Sequence, residues 1–231
     1  MPIRAVYFDG DQTLWDFRLV MRRALRATLA ELRRLRPGPA TDALTVEDLV
    51  ADRERTAAEM DESNLERLRC AAFARTLRRI GLPDGDLAEQ LNDFYLQRRF
   101  SGVEPYPDVL PVLRALRGAV LLGLLSNGNG YPERSGLGGI FDAVVFSQDH
   151  RIGKPDRRLF DIAAREIGAP GAEIVMIGDS VENDVRGAQN AGWSGIWLNR
   201  DGVPTPEGIR PDAIFADLSG LPGYLNERAT M

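Results

Sequence analysis

Pro105-Tyr106-Pro107 divides the chain into two patterns. Beyond it, helices and apolar strands alternate: a helix over Asp108–Arg117, a strand over Ala119–Leu125 and a strand over Ala143–Phe146. A helix over Pro155–Ile167 follows, with proline near its start where a missing N–H does no harm. Then come a strand over Ile174–Ile177, a helix over Asn183–Ala191, a strand over Ser194–Leu198 and a last edge strand over Ala213–Phe215. Runs as apolar as Ala119–Leu125 suit strands buried on both faces of a parallel sheet. Alternation of this kind requires right-handed crossovers. One more such run, Ile3–Phe8, opens the chain and belongs near the centre of the sheet. The expectation is an α/β fold, a Rossmann-like parallel sheet with helices on both faces. Ligands bind such sheets outside the carboxyl ends of the strands, at the topological switch point.

Between the first strand and Pro105 the sequence reads as helix. Leu25, Leu29 and Leu32 mark the apolar face of a helix over Leu19–Arg36, which Pro37-Gly38-Pro39 stops. Thr45-Val46-Glu47-Asp48 resembles a capping box, with Asp in place of Glu or Gln, and opens a second helix. A third covers Leu65–Ile80 and closes at Gly81, and Asp84 or Asp86 caps a fourth. The basic run of the first helix reads as a solvated face. The expected organisation is a core of residues 1–14 and 105–231 interrupted by an all-helical cap domain of residues 15–104. An insertion at that edge is placed to act as a lid.

The strand ends carry the chemistry. Ile3–Phe8 runs into Asp9-Gly10-Asp11. Two carboxylates so close disfavour joint ionisation, and Gly10 lets the backbone turn and approach a ligand. An Asp-Gly turn closing a hairpin is the alternative for this stretch alone. The next strand ends at Ser126-Asn127, and Ile174–Ile177 ends at Gly178-Asp179, with Asp184 five residues on. Gly153-Lys154-Pro155 opens a helix between them. Each residue has a plainer reading: Asp179 and Asp184 as a helix cap and first-turn acid, Ser126 as a turn residue, Lys154 as solvated. Two observations favour a shared site. Four carboxylates on one sheet edge need a cation, and a hard divalent ion such as Mg²⁺ takes oxygen ligands and a substrate phosphate. Of the 29 basic residues only Lys154 is lysine, which points to a compact ammonium that arginine cannot replace.

Composition narrows the partners. The net charge of −5 points neither to nucleic acid nor to an anionic membrane. No stretch approaches the ~20 apolar residues of a membrane span, and no signal-peptide pattern opens the sequence. A lone cysteine, Cys70, in an apolar helical stretch fits a buried inert thiol and a cytoplasmic location. His150, the only histidine, falls in a loop and reads as solvated. The expected state is a monomer or homodimer.

Asp9-Gly10-Asp11-Gln12-Thr13-Leu14, Ser126-Asn127, Lys154-Pro155 and Gly178-Asp179-Ser180-Val181-Glu182-Asn183-Asp184 together resemble the four motifs of the haloacid dehalogenase superfamily, in order and across the whole chain. The helical insert resembles that superfamily's cap. Gln12 departs from the Gly, Asn or Glu of many members, at a position that varies. The resemblance implies a Mg²⁺-dependent phosphatase that hydrolyses a small phosphate monoester through an aspartyl-phosphate. Asp9 would be the nucleophile and Asp11 the acid and base. Ser126, Lys154, Gly10 and Asn127 would join them around the phosphoryl group, and Thr13 would fix the loop and orient Asp11. Mg²⁺ would sit on Asp9, the Asp11 carbonyl and Asp179, with Asp184 in direct contact or one step removed. Dehalogenases of the superfamily lack the second carboxylate because halide leaves without a proton, so Asp11 argues for a phosphatase. The helical insert has no lysine for a phosphonatase imine. Sugar phosphomutase and a non-catalytic phosphometabolite-binding protein remain as alternatives. Trp15, Arg18 and Asn129, with residues of the helical insert, are the candidates for substrate choice.

Overall fold

In the computed structural model, residues 2–60, 62 and 64–229 are described, and they form two compact units, Met1–Asp16 with Glu104–Met231 and Phe17–Val103. The first is built on a six-stranded parallel sheet in the order β3-β2-β1-β4-β5-β6. Its strands are β1 (Ala5–Phe8), β2 (Leu121–Ser126), β3 (Ala143–Phe146), β4 (Ile174–Gly178), β5 (Ser194–Leu198) and β6 (Ala213–Phe215). Every residue of β1 is fully buried, as its unbroken apolar run demands. After β3 the chain returns across β1 to begin β4, so the switch point lies between β1 and β4. Phe8 pairs with Leu124 on one side and Ile177 on the other, which brings the ends of three strands level. Tyr7 and Gly123 show how tightly the centre is filled. A Cβ on Gly123 would stand 2.2 Å from the Tyr7 ring, whose hydroxyl donates to the Ala163 carbonyl at 2.7 Å.

The helices of this unit are α6 (Val109–Leu116), α7 (Ser147–His150), α8 (Arg157–Ile167), α9 (Gly187–Asn190) and α10 (Leu221–Ala229), numbered after five in the other unit. Leu159, Phe160 and Ala163 of α8 pack with Tyr7, Leu125, Val145 and Trp193 in one core. Several expectations shift. The helix expected from Pro155 starts at Arg157, because Asp156 caps it by accepting from the Arg158 N–H. His150 lies in the single turn of α7, not a loop, and is exposed. The strand expected from Ala119 starts at Leu121, because the Ala119 and Val120 N–H groups turn back to the Leu116 carbonyl. The helix expected over Asn183–Ala191 is a wide π-helical turn over Val181–Arg186 followed by α9.

The second unit holds α1 (Phe17–Leu35), α2 (Pro39–Asp42), α3 (Val46–Glu59), α4 (Leu65–Arg79) and α5 (Gly85–Phe100). Leu25, Leu29 and Leu32 of α1 are buried with Leu49, Phe73, Leu77, Leu91 and Tyr95. Each buried leucine contributes on the order of 1.5–3 kcal/mol. Thr45 and Asp48 close the capping box in both directions, Asn64 caps α4, and Asp84, not Asp86, caps α5.

Candidate active site

β1 delivers Asp9 to the switch point, where its N–H continues the ladder to the Ile177 carbonyl at 2.8 Å. The chain then folds into a tight loop. Gly10 O accepts from the N–H groups of Thr13, Leu14 and Trp15, and Gln12 N–H donates to Trp15 O at 2.8 Å. Closing it puts Gln12 at φ 62°, a left-handed conformation that costs a residue with a Cβ about 1–2 kcal/mol. Arg200 holds the loop from outside, donating through Nη2 to Thr13 O at 2.9 Å and to Asp108 Oδ2 at 2.8 Å.

Lys154 is the centre of the site. Its Nζ donates to Asp9 Oδ1 at 2.7 Å, Asp184 Oδ1 at 2.6 Å and Leu125 O at 2.8 Å. All three ammonium hydrogens are used, and the side chain is 1% exposed. A planar guanidinium has neither that geometry nor that volume. Burial disfavours the charge on Lys154, but Asp184 and Asp9 outweigh it and hold its pKa above that of an ordinary lysine. Burial pushes Asp9 up to about 8, Lys154 opposes the shift, and Asp184 and Asp11 add to it. A cation beside Asp9 would restore its ionised form.

Asn127 fixes the backbone that carries this lysine. Its Oδ1 accepts from Lys154 N–H at 2.8 Å, and its Nδ2 donates to Lys154 O at 2.9 Å. The side chain is thereby tied to the loop, and one of its two Nδ2 hydrogens is used there. Ser126, 1% exposed, accepts from Gly128 N–H at 3.0 Å and keeps its own hydroxyl hydrogen to donate. Asp184 is folded back over β4: its Oδ2 accepts from Ser180 N–H at 2.9 Å, and a Cβ on Gly178 would stand 2.0 Å from that oxygen. This contact explains the glycine and the wide turn. Asp184 N–H and Val185 N–H both reach back to Ser180 O, the second across five residues.

Carboxylate oxygens of Asp9, Asp179 and Asp184 lie within 4.8 Å of one another. An all-oxygen donor set of this kind fits a hard divalent cation. Both Asp184 oxygens already accept hydrogen bonds, which suits it to orienting Lys154 and the Ser180 turn. Trp197 Nε1 donates to Asp179 O at 2.9 Å and fixes that residue's backbone. Asp9, Asp11, Ser126, Lys154, Asp179 and Asp184 all line one cleft of about 230 Å³.

The other expected residues separate. Thr13 is fully buried, yet among the described residues its hydroxyl has no hydrogen-bond partner and makes no link to Asp11. Asp11 is bonded instead by Trp15, whose Nε1 donates to Asp11 Oδ1 at 2.8 Å. Trp15 is 2% exposed, so it does not offer a ring face for stacking a ligand. Asn129 is buried in the loop after β2. Arg18 is exposed in the first turn of α1, in the helical unit. Arg200 and Trp197 were not legible as site residues. The one available signal was their position after or within the strand that follows the Asp179 loop.

Comparison with known proteins places the chain in a family. The family model of the haloacid dehalogenase-like hydrolases matches residues 3–192. The chain is 34% identical to pyrimidine 5'-nucleotidase YjjG of Escherichia coli over 138 residues, which span 57% of this chain and 61% of the nucleotidase. It is 32% identical to the glyceraldehyde 3-phosphate phosphatase of Methanopyrus kandleri over 205 residues, 86% of this chain and 84% of that one. Among solved structures, a 2-haloacid dehalogenase from Pseudomonas syringae superposes with a TM-score of 0.80 at 33% identity, covering 98% of this chain and 100% of the other. The chain therefore belongs to the haloacid dehalogenase-like hydrolases.

Proposed function

We propose that the protein is a metal-dependent phosphatase that hydrolyses a small phosphate monoester through a phosphorylated Asp9. The observation that carries this reading is the division of labour between two neighbouring carboxylates. Asp9 is 7% exposed, held by Lys154 and grouped with Asp179 and Asp184. Asp11, half-buried, stands outside that group and is bonded by Trp15. Two carboxyl groups in such different settings can take different roles.

Asp9 attacks phosphorus with the carboxylate oxygen that Lys154 does not hold, and the bond to the leaving oxygen breaks. Asp11 gives that oxygen its proton. Water then attacks the phosphorylated Asp9 and returns a proton to Asp11, freeing phosphate. Ser126 donates its hydroxyl hydrogen to the phosphoryl group, and Lys154 offsets negative charge beside it. Asp9 and Asp179, with the Asp11 carbonyl, would hold Mg²⁺, and Asp184 would steady the arrangement. When bound, the ion supplies charge neutralisation on the phosphoryl oxygens.

The dehalogenase relatives set the competing reading. A halide departs without a proton, whereas an alkoxide needs one, so the second carboxylate favours the phosphate ester. The nucleotidase and the glyceraldehyde 3-phosphate phosphatase support the same substrate class. The core cleft of about 230 Å³ lies below the roughly 300–1,000 Å³ of drug-sized ligand sites, which suits a small ester. The test is phosphate release from a panel of sugar, nucleotide and short-acid phosphates, with Mg²⁺ and with EDTA, beside halide release from 2-haloacids. Release of phosphate that chelation abolishes is expected. Halide release without phosphate release would overturn the reading.

A further inference from the structure

Asp11 lines the cleft half-buried, and the side chain that holds it is a buried one. Its Oδ1 accepts the Trp15 indole N–H at 2.8 Å. The indole is buried and closely packed. A Cβ on Gly10 would stand 2.7 Å from Trp15 Cζ2, and a Cβ on Gly130 would stand 2.6 Å from the same atom. The ring therefore lies against two glycines, and a side chain on either would displace it. The backbone beneath it is fixed as well: Trp15 O accepts from Gln12, Trp15 N–H donates to Gly10 O, and Trp15 bridges to Pro105 on the returning chain. The second oxygen, Asp11 Oδ2, sits against a third glycine, since a Cβ on Gly128 would lie 2.6 Å from it and 3.4 Å from Ser126 Oγ.

Each oxygen of Asp11 thus has its own setting. Oδ1 is tied to a buried indole. Oδ2 is left against Gly128, whose N–H is bonded to Ser126 Oγ, and both residues line the cleft. Without the indole, rotation about the side-chain bonds would let the carboxylate swing toward water or toward the Asp9, Asp179 and Asp184 group.

We propose that Trp15 is the positioning residue for proton transfer by Asp11, holding Oδ1 so that Oδ2 is the oxygen that serves the leaving group. This rests on the phosphatase reading above. As the bond from phosphorus to the ester oxygen breaks and the bond to Asp9 forms, the proton on Oδ2 passes to the ester oxygen. As water attacks and the bond to Asp9 breaks, one water proton returns to Oδ2. Gly10, Gly128 and Gly130 belong to the same device, because each clears space for the indole or the carboxylate. Trp15 then limits which leaving groups the enzyme handles without touching substrate.

The dependence on leaving group separates this role from mere packing. kcat/KM covers events up to the first irreversible step, and so reads the departure of the leaving oxygen. It is measured with the full chain and Mg²⁺ on p-nitrophenyl phosphate, whose leaving group needs no proton, and on the alkyl phosphate that proves fastest in the panel. Trp15→Phe keeps an aromatic ring but removes the donor. It should lower kcat/KM for the alkyl ester by about tenfold or more, part of the 10²–10⁴ that general acid catalysis contributes. The aryl ester should change by less than about threefold. In an Asp11→Asn background the same substitution should have no further effect on the alkyl ester. Gly130→Ala, which displaces the ring but retains the N–H, should reproduce the selective loss and serves if Trp15→Phe fails to fold. Equal losses on both esters, or additive losses in the Asp11→Asn background, would overturn the positioning role alone. Wild-type protein that releases no phosphate from any ester would overturn the phosphatase reading and this one with it.

Discussion

Lys154 in the α/β unit and Asp52 in the helical unit are both buried ions, and their surroundings differ in kind. Asp52 Oδ2 accepts from Thr76 Oγ1 at 2.9 Å and from Arg79 Nε and Nη2 at 3.1 and 2.8 Å, tying α3 to α4. Arg79 and Arg55, 38% and 61% exposed, reach this 1% exposed carboxylate from solvent. One buried charge is balanced by cations that keep much of their hydration, and the product is a helix pair. Around Lys154 one ammonium faces two buried carboxylates, with Asp179 beside them. The lysine does tie the loop before α8 to the ends of β1 and β2 and to the Val181–Arg186 turn, but it does so with one cation for two carboxylates. An excess of negative charge at strand ends is a poor way to stabilise a fold and a good way to hold a cation and a phosphoryl group.

Substitutions in the two clusters should therefore separate activity from stability. The largest effect is expected from Asp9→Asn, which keeps the shape of the side chain and removes the nucleophile. Phosphate release should fall by at least about 10⁴-fold, and the circular dichroism spectrum should not change. Substantial remaining turnover would take the covalent role from Asp9. Lys154→Arg should follow, with a loss of roughly 10²–10³-fold, the scale of removing one well-aimed electrostatic group. It keeps the charge, so near-normal rates would show that the three-way geometry of the ammonium is not needed.

The lone lysine was legible because composition isolates it, and the Asp9 loop because an apolar run ends there in paired carboxylates. What could not be read depends on partners distant in sequence. Asn127 binds both backbone groups of Lys154 across 27 residues, and Arg200 reaches Thr13 across 187. The wide turn over Val181–Arg186 is set by Asp184 folding onto Gly178, a tertiary contact that helical periodicity cannot express. Trp15 and Asp11 are four residues apart, but they meet through a loop in which Gln12 is left-handed, not through a helical turn. The caps of the helical unit were easier, since Thr45 with Asp48 and Asp84 with Leu87 act within three residues.

In the helical unit the order of effects should reverse. Asp52→Asn retains volume and a hydrogen-bond acceptor but gives up the charged bonds to Arg79 and the ion pair with Arg55. A loss of about 1.5–3 kcal/mol in urea unfolding is expected, the range for hydrogen bonds to charged groups. kcat per folded molecule should be unchanged. A fall in kcat at constant stability would mean that Asp52 serves the reaction and that the contrast between the clusters is false.

The smallest effect makes the sharpest comparison, because it is the reverse exchange. Arg79→Lys keeps the charge that Lys154→Arg keeps, at a side chain that is 38% exposed rather than 1%. The lysine can still reach Asp52, and water can take up the hydrogen bonds it gives up. What is lost is the double contact of Nε and Nη2 with Asp52 Oδ2 and the longer pairing with Asp48 at 3.5 Å. Partly exposed pairs of this sort contribute about 1 kcal/mol or less, so the urea midpoint should move little and turnover not at all. If Arg79→Lys destabilised the protein as much as Asp52→Asn, the cluster would depend on guanidinium geometry as strictly as the Lys154 site depends on an ammonium. Solvent access would then not be what distinguishes the two.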